Sequence, residues 1–573
     1  MKGLSFTEKR WQLRAIEKSD VQRLEQRLQL HPLVARCLAM RVTDPEAARV
    51  WLRPSLDHLH NPDEVLGMKT AVARIRSAIE SRESIRIVTD YDVDGTTSSL
   101  ILQGTLRILG AGELLSYHIP DRFKEGYGFS VIAAEKAADD GVGLIITADI
   151  GVRDHAAVDA AAARGVDVII CDHHLPAGAS VPGNAVAVLC PPQEACNYPN
   201  KALAACGVSL KLAQALLENH PRRGAIIKSM LKVAAIGTVA DVVDLSTPEN
   251  RAIVTHGLKG LRNGVHSPGL HALLEVSGVQ GEVTSEDLGF RLGPRINAAG
   301  RLAEATAVIE LFDEKDPDRA RGRAQALDGL NKDRQRIQKD LVERSIAMIP
   351  DPTPPFVVLW GSEAEGWHRG VVGIVAAKIR DRVNRPTAII AVAGNDARGS
   401  VRSVPAIHAV RALDSAAELL DGYGGHPAAA GFSVDASKLE SLRTQLESWT
   451  DDHQDGEPVV PLLEVDIECD ESAFRTPDAD ILAQGLSDLG PHGKGNPAPR
   501  IQVNGITIGD VRPLGEKHVR FRIGQVDAVW WNGRIHTHSL TQGPVNLIGS
   551  LGYNTWRGRR SLRFTVEDAA SAD

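Results

Sequence analysis

Cysteine is scarce in this chain: six in 573 residues, at Cys37, Cys171, Cys190, Cys196, Cys206 and Cys469. A disulfide-stapled scaffold is excluded by that count, and Cys190, Cys196 and Cys206 lack the C-x2-C spacing of a zinc site. Reduced thiols are expected. Long apolar runs are also missing; none approaches the roughly 20 residues that cross a bilayer. Residues 1–18 carry Glu and Lys without an apolar stretch, so no secretory signal is read there and a cytoplasmic location is expected. Positive charge is short as well. The net charge of −8 argues against a non-specific nucleic-acid binder. That average hides an asymmetry. From Arg500 to Arg563 there are ten Lys/Arg against three Asp/Glu, a local net of +7.

What is present is an ordinary globular composition, 43% hydrophobic and 24% charged. At roughly 100–200 residues per domain the length suggests three or four domains. Three short β-branched runs, 85–90, 144–149 and 166–172, each end on Asp. Amphipathic helical patterns separate them, at 96–109, 131–139 and 156–164. Alternating strands and helices predict a parallel, doubly wound α/β sheet, in which ligands bind beyond the carboxyl ends of the strands. A long charged helix is predicted over 320–348, with a narrow apolar stripe through Leu327, Leu330, Ile337, Leu341 and Met348. The Pro-rich segment 350–355 ends it. A second α/β unit follows from 356, then a polar linker at about 450–460, then short alternating strands that read as a small β-barrel.

Four motifs carry chemistry. The segment Asp90-Tyr91-Asp92-Val93-Asp94-Gly95 places three carboxylates in five residues at a strand end. Such charge density calls for divalent cations, and hard oxygen ligands suit Mg²⁺ or Mn²⁺. An acidic surface loop is the plainer alternative. Asp149, in Thr147-Ala148-Asp149-Ile150-Gly151, could equally cap the next helix. Asp172-His173-His174 adds two imidazoles after a buried strand, which moves the preference towards Mn²⁺. One imidazole could bind metal and the other contact a phosphate. Asp241, in Gly237-Thr238-Val239-Ala240-Asp241, is by itself weak. Together the set suffices for two metals sharing a carboxylate, the arrangement that stabilises both attacking and leaving oxygens in phosphodiester hydrolysis.

DYDVDG (90–95), TADIG (147–151), DHH (172–174) and GTVAD (237–241), in this order, resemble the motifs of the DHH phosphoesterase superfamily. IPDRFKEGYG (119–128), GPRINAAGR (293–301), WHRGVVGIVA (367–376), GSVRS (399–403), GGH (424–426) and GNP (495–497) extend the likeness to its single-strand-specific exonucleases, the RecJ family. The resemblance implies a parallel-sheet DHH domain (65–319) after an N-terminal helical segment (1–64). A connecting helix (320–349), a smaller α/β DHHA1 domain (350–449) and a C-terminal OB-fold β-barrel (450–573) would follow. It implies Asp90, Asp92, Asp94, Asp149, His173 and Asp241 as ligands of two Mn²⁺ or Mg²⁺ ions, with Asp149 bridging and His174 beside the scissile phosphate. Some superfamily members carry a His where this chain has Val88, and Val cannot bind metal.

The activity implied is 5′→3′ hydrolysis of single-stranded DNA to 5′-mononucleotides in repair and recombination. Its partners would be a strand with a free 5′ end, a single-strand-binding protein and a helicase. Substrate contacts would come from Arg122, Arg295, Asn297, Arg301, Ser400, Arg402 and His426. A slot between the two α/β domains would select single strands. In the barrel, Trp530, Trp531, Tyr553 and Trp556 alternate with Arg520, Arg522, Arg534, Arg557, Arg559 and Arg560, and can stack bases while cations follow phosphates. Trp530 and Trp531 could as well be barrel core. Two other readings compete. Phosphodiesterases of short oligonucleotides lack the 461–573 barrel, and a decayed, non-catalytic scaffold is disfavoured by the intact ligand set.

Overall fold

The β-branched runs form strands because each is buried on both faces. In the computed structural model they are β1 (Ser84–Thr89), β3 (Val142–Ala148) and β4 (Asp167–Cys171), and two shorter edge strands, β2 (Leu115–His118) and β5 (Ala187–Leu189), flank them. Residues 4–572 are described, apart from 122–124, 126–127, 177, 179, 280–281, 454–459 and 557–558; for 555–556 only the backbone is. All four strand pairings are parallel, in the order β2-β1-β3-β4-β5. Alternate residues face opposite layers. Ile85, Ile87, Leu144 and Ile146 enter one core with Leu102, Leu210 and Leu231. Val88, Ile145 and Ile170 enter the other with Ala133 and Val158. Val88 is therefore a core residue.

The chain leaves β1 one way and β3 the other. The carboxyl ends of β1 and β3 thus flank the switch point at which such sheets bind ligands. Helices α1 (Val93–Ile108), α2 (Ala205–Leu216), α3 (Arg223–Ala240) and α4 (Pro248–Asn263) complete this layer. The edge strands β2 and β5 are four and three residues long, too short to show a period in the sequence. The helix expected over 320–348 runs Pro317–Met348.

The chain divides into two compact units, 1–300 with 304–325 and 462–573, and 301–303 with 326–461. The second has a five-stranded sheet. Val357–Ser362 and Thr387–Ala393 are parallel, and Asp396–Arg402, Ala429–Asp435 and Leu420–His426 continue antiparallel.

Within the first unit, residues 467–571 form a seven-stranded mixed sheet. Its core is shared with the N-terminal segment: Leu24, Val34, Leu38 and Trp51 pack with Phe474, Leu547 and Phe564. The segment expected to be helical also holds a strand, Arg10–Leu13, parallel to Leu462–Val465. Trp11 Nε1 donates to Asp568 Oδ2 at 2.9 Å. On α4, the buried Arg251 guanidinium lies 3.4 Å from the Trp51 ring centroid. It donates to the carbonyls of Trp51 (3.0 Å), Leu489 (3.3 Å) and Gly490 (2.6 Å), tying the helices of the parallel sheet to segments from both ends of the chain.

Candidate metal centre

Asp92 ends the turn after β1 and caps α1. Its Oδ1 accepts from the amides of Asp94 (2.8 Å) and Gly95 (3.0 Å), and Thr96 Oγ1 donates to its carbonyl at 2.6 Å. The cap starts the helix at Val93, three residues before the apolar period suggests. Gly95 is required by close approach, since a Cβ there would overlap the carbonyl of Asp90. Asp94 is fully buried in the first turn of α1 and accepts from Ala205 N (2.7 Å) and Cys206 N (2.9 Å). Ala204, the cap residue of α2, has no side chain for that task, so Asp94 supplies it across the domain.

Asp149 follows β3 with φ +65°, a left-handed backbone that Asp and Asn tolerate better than other side chains. Asp172 follows β4, and its carboxylate is saturated locally. Oδ1 accepts from His173 N (2.7 Å), His174 N (3.1 Å) and His174 Nδ1 (2.8 Å), and Oδ2 from Val152 N (3.0 Å). Asp172 orients the two histidines rather than joining the ligand cluster. Asp241 caps the end of α3.

These side chains converge. His173 Nε2 lies 3.2 Å from Asp149 Oδ1, 3.6 Å from Asp241 Oδ2 and 3.9 Å from Asp94 Oδ2. Three donor groups result: Asp90, Asp92 and Asp149; Asp149, His173 and His174; Asp94, His173 and Asp241. Asp149 and His173 each belong to two. Asp149 Oδ1 and His173 Nε2 are buried and make no hydrogen bond. Buried polar atoms without hydrogen bonds are costly, and a divalent cation with oxygen and imidazole ligands answers that cost. The donor set fits such a group. No cysteine joins a donor group among the described residues.

The electrostatics agree. Burial, then the neighbouring carboxylates, hold Asp149 well above the usual carboxylate range. Burial, with Asp94 and Asp92, pushes Asp241 up to about 9. Burial raises Asp94 and lowers His173. His174 moves the other way: burial opposes its charge, but the hydrogen bond to Asp172 prevails and raises it.

The sequence pattern of the DHH family, N-terminal domain, matches residues 84–238, that of the DHHA1 domain residues 354–452, and that of the RecJ OB domain residues 466–568. The single-stranded-DNA-specific exonuclease RecJ of Bacillus subtilis is 36% identical over 98% of this chain and 71% of its own length. The chain belongs to the RecJ family. The Salmonella typhimurium member is 32% identical, over 94% of this chain and 96% of its own. The crystal structure of RecJ in complex with Mn²⁺ from Thermus thermophilus superposes with a TM-score of 0.83 at 29% identity. It covers 98% of this chain and 80% of that one. The Mg²⁺ complex from the same organism gives 0.76 at 27%, over 98% and 79%.

The other expected site residues are distributed as follows. Arg295 and Asn297 are half-buried on the helix Gly293–Leu302, and Arg295 Nη1 donates to Arg291 O at 2.8 Å. In the second unit, Arg301 Nη1 donates to Gly370 O at 3.0 Å, and Arg402 Nη1 to Ser400 Oγ at 2.8 Å. A Cβ on Gly373 would crowd both Arg402 and Ser400 at 3.0 Å. His426 is exposed at the end of an edge strand. Arg559 is exposed, opposite Trp556 in the last hairpin. Arg122, Arg557 and the Trp556 side chain lie outside the described residues. Trp530 is core, stacked on His536 with centroids 4.9 Å apart, whereas Trp531 is exposed. Asp172 as a positioning group was missed by sequence reasoning; an Asp directly before two ligand-type histidines is its only signal.

Proposed function

We infer that this protein is a metal-dependent exonuclease that hydrolyses single-stranded DNA in the 5′→3′ direction, releasing 5′-mononucleotides in DNA repair and recombination. The observation that carries the reading is the sharing of Asp149 and His173 among three donor groups. A carboxylate common to two groups is what a two-ion centre needs. Asp90, Asp92, Asp94, Asp149, His173 and Asp241 would hold two Mn²⁺ or Mg²⁺ ions, whose chemistry is to lower the pKa of a bound water and offset charge on the phosphate. The names of the curated relatives support the substrate class.

The protein's own groups do the rest. Asp172 fixes the His174 ring and favours its charged form, so His174 is suited to donate to a phosphate oxygen. Arg402 and Ser400 offer a cation and a hydroxyl for the 5′ phosphate; Arg122, Arg295, Asn297, Arg301 and His426 would add contacts along the strand. Arg557, Arg559 and Trp556 would bind it further along. Such an enzyme works in the cytoplasm, with a helicase to open duplex and a single-strand-binding protein to present the strand. No helix among the described residues is long and apolar enough to cross a membrane.

The test is release of mononucleotides from a 5′-phosphorylated single strand with Mn²⁺, comparing the wild type with Asp149→Asn and His173→Ala. Both variants should lose hydrolysis while binding the strand in Ca²⁺. Hydrolysis surviving either change would remove the shared-ligand reading.

A further inference from the structure

The turn that follows Asp241 carries a platform built from the far end of the chain. Val242 has φ +58°, and the backbone then folds back: Asp244 Oδ1 accepts from Ser246 N at 2.7 Å, and Asn250 Nδ2 donates to Asp244 O at 2.8 Å. On this turn sits the tight hairpin Gly493-Lys494-Gly495-Asn496. Gly493 and Asn496 exchange backbone hydrogen bonds of 2.9 and 3.1 Å, and Gly495 has φ +74°. Glycine with positive φ at the third position is the requirement of a type II turn, which leaves Lys494 at the second.

Everything around Lys494 is fixed. Asn496 is fully buried; its Nδ2 donates to the carbonyls of Leu489 (2.9 Å) and Pro491 (2.8 Å), and its Oδ1 accepts from Arg41 Nε at 2.6 Å. Ser285 Oγ donates to His492 O at 2.7 Å. Leu245 N donates to Lys494 O at 2.8 Å, four residues beyond Asp241. Gly495 rests on Asp244 so closely that a Cβ would overlap Oδ1. The backbone of Lys494 is thus seated beside the Asp241 turn, while its side chain is exposed and takes no part in holding the hairpin together. Its charge reaches Asp241, where it opposes those of Asp94, Asp92 and Asp90.

The turn needs the glycine at 495 and the asparagine at 496; it has no use for a cation at 494. A strand whose scissile phosphate lies at the donor groups must carry its next phosphate past the rim of that centre. We propose that Lys494 is a substrate-binding residue that holds the phosphodiester adjoining the scissile one. The inference rests on the exonuclease reading above.

The test compares Lys494→Ala and Lys494→Arg with the wild type on two substrates: a 5′-phosphorylated oligonucleotide, and thymidine 5′-(p-nitrophenyl phosphate), which has no second phosphate. Lys494→Ala should raise KM for the strand about tenfold, as for one charged hydrogen bond. The log–log salt slope of binding should fall by about 0.7, the loss of one single-strand phosphate contact. Lys494→Arg should restore most of both. The melting temperature should hold, and the loss on the one-phosphate substrate should be well below that on the strand. Unchanged KM and salt slope would overturn the assignment. So would equal losses on both substrates, which would mean that Lys494 acts through Asp241. Strand binding in Ca²⁺, followed by fluorescence anisotropy, judges Lys494 independently of hydrolysis. If the wild type binds but never cleaves, the exonuclease reading fails instead.

Discussion

Removing the metal should make this protein progressively less stable as pH rises. In the metal-free fold Asp241 keeps its proton up to about 9, because burial and the carboxylates of Asp94 and Asp92 oppose its charge. The unfolded chain releases that proton near the ordinary carboxylate value of 3.8. Between those two pH values the folded state therefore binds more protons than the unfolded one, and stability falls as pH increases. Each retained proton contributes a slope of about 1.4 kcal/mol per pH unit. Going from pH 6 to pH 8 then costs about 3 kcal/mol from one proton alone. Asp149, also raised, steepens the trend. Divalent cations remove it, since the carboxylates then ionise as ligands. The assay is urea unfolding of chelated and Mn²⁺-saturated protein across this range, with calorimetric titration of Mn²⁺ in buffers of different ionisation enthalpy. The stability gap should widen with pH, and binding should release at least one proton near pH 7. A gap that is constant or narrows, or binding without proton release, would refute the reasoning.

Two further outcomes are expected. Asp172→Asn should leave the fold intact but free the His174 ring, lowering kcat about 10- to 100-fold as outer hydrogen-bond partners of metal sites do. Because Asp172 raises His174, the alkaline limb of the pH–rate profile should move to lower pH in this variant; an unmoved limb would deny Asp172 its role. Arg251→Ala should uncover Trp51 and strand the carbonyls that the guanidinium binds, destabilising by about 3 kcal/mol or more in urea unfolding, with kcat of the folded protein at low temperature little changed.

The catalytic sheet was legible because its three central strands are buried along most of their length and each is followed by an Asp. A period of two or an unbroken apolar run survives in sequence only when burial is continuous. β2 and β5 lie at the edges and are too short to leave one. Of the residues proposed as ligands, Asp90, Asp92, Asp94 and His173 stand in dense local motifs. Asp149 and Asp241 do not, and only the family resemblance separated them from helix caps. The pairing of the first residues with the last was not legible at all. It depends on contacts such as Trp11 with Asp568 and Arg41 with Asn496, between residues more than 450 apart. Trp530 and Trp531 show a smaller version of the same limit. The strand ends at Trp530, which enters the core, and Trp531 begins the turn after it; where a strand stops is set by its pairing, which the sequence does not print.

The left-handed backbone at Asp149 constrains how this centre can be lost. A ligand in ordinary extended conformation can drift to alanine, serine or glutamate at no backbone cost. At φ +65° glycine and asparagine fit easily, and a β-branched residue is disfavoured by sterics alone. A descendant that kept this fold for binding and abandoned hydrolysis should therefore carry glycine or asparagine at this position. The same geometry makes asparagine the cleaner laboratory substitution, because alanine would perturb the strand end as well as the ligand.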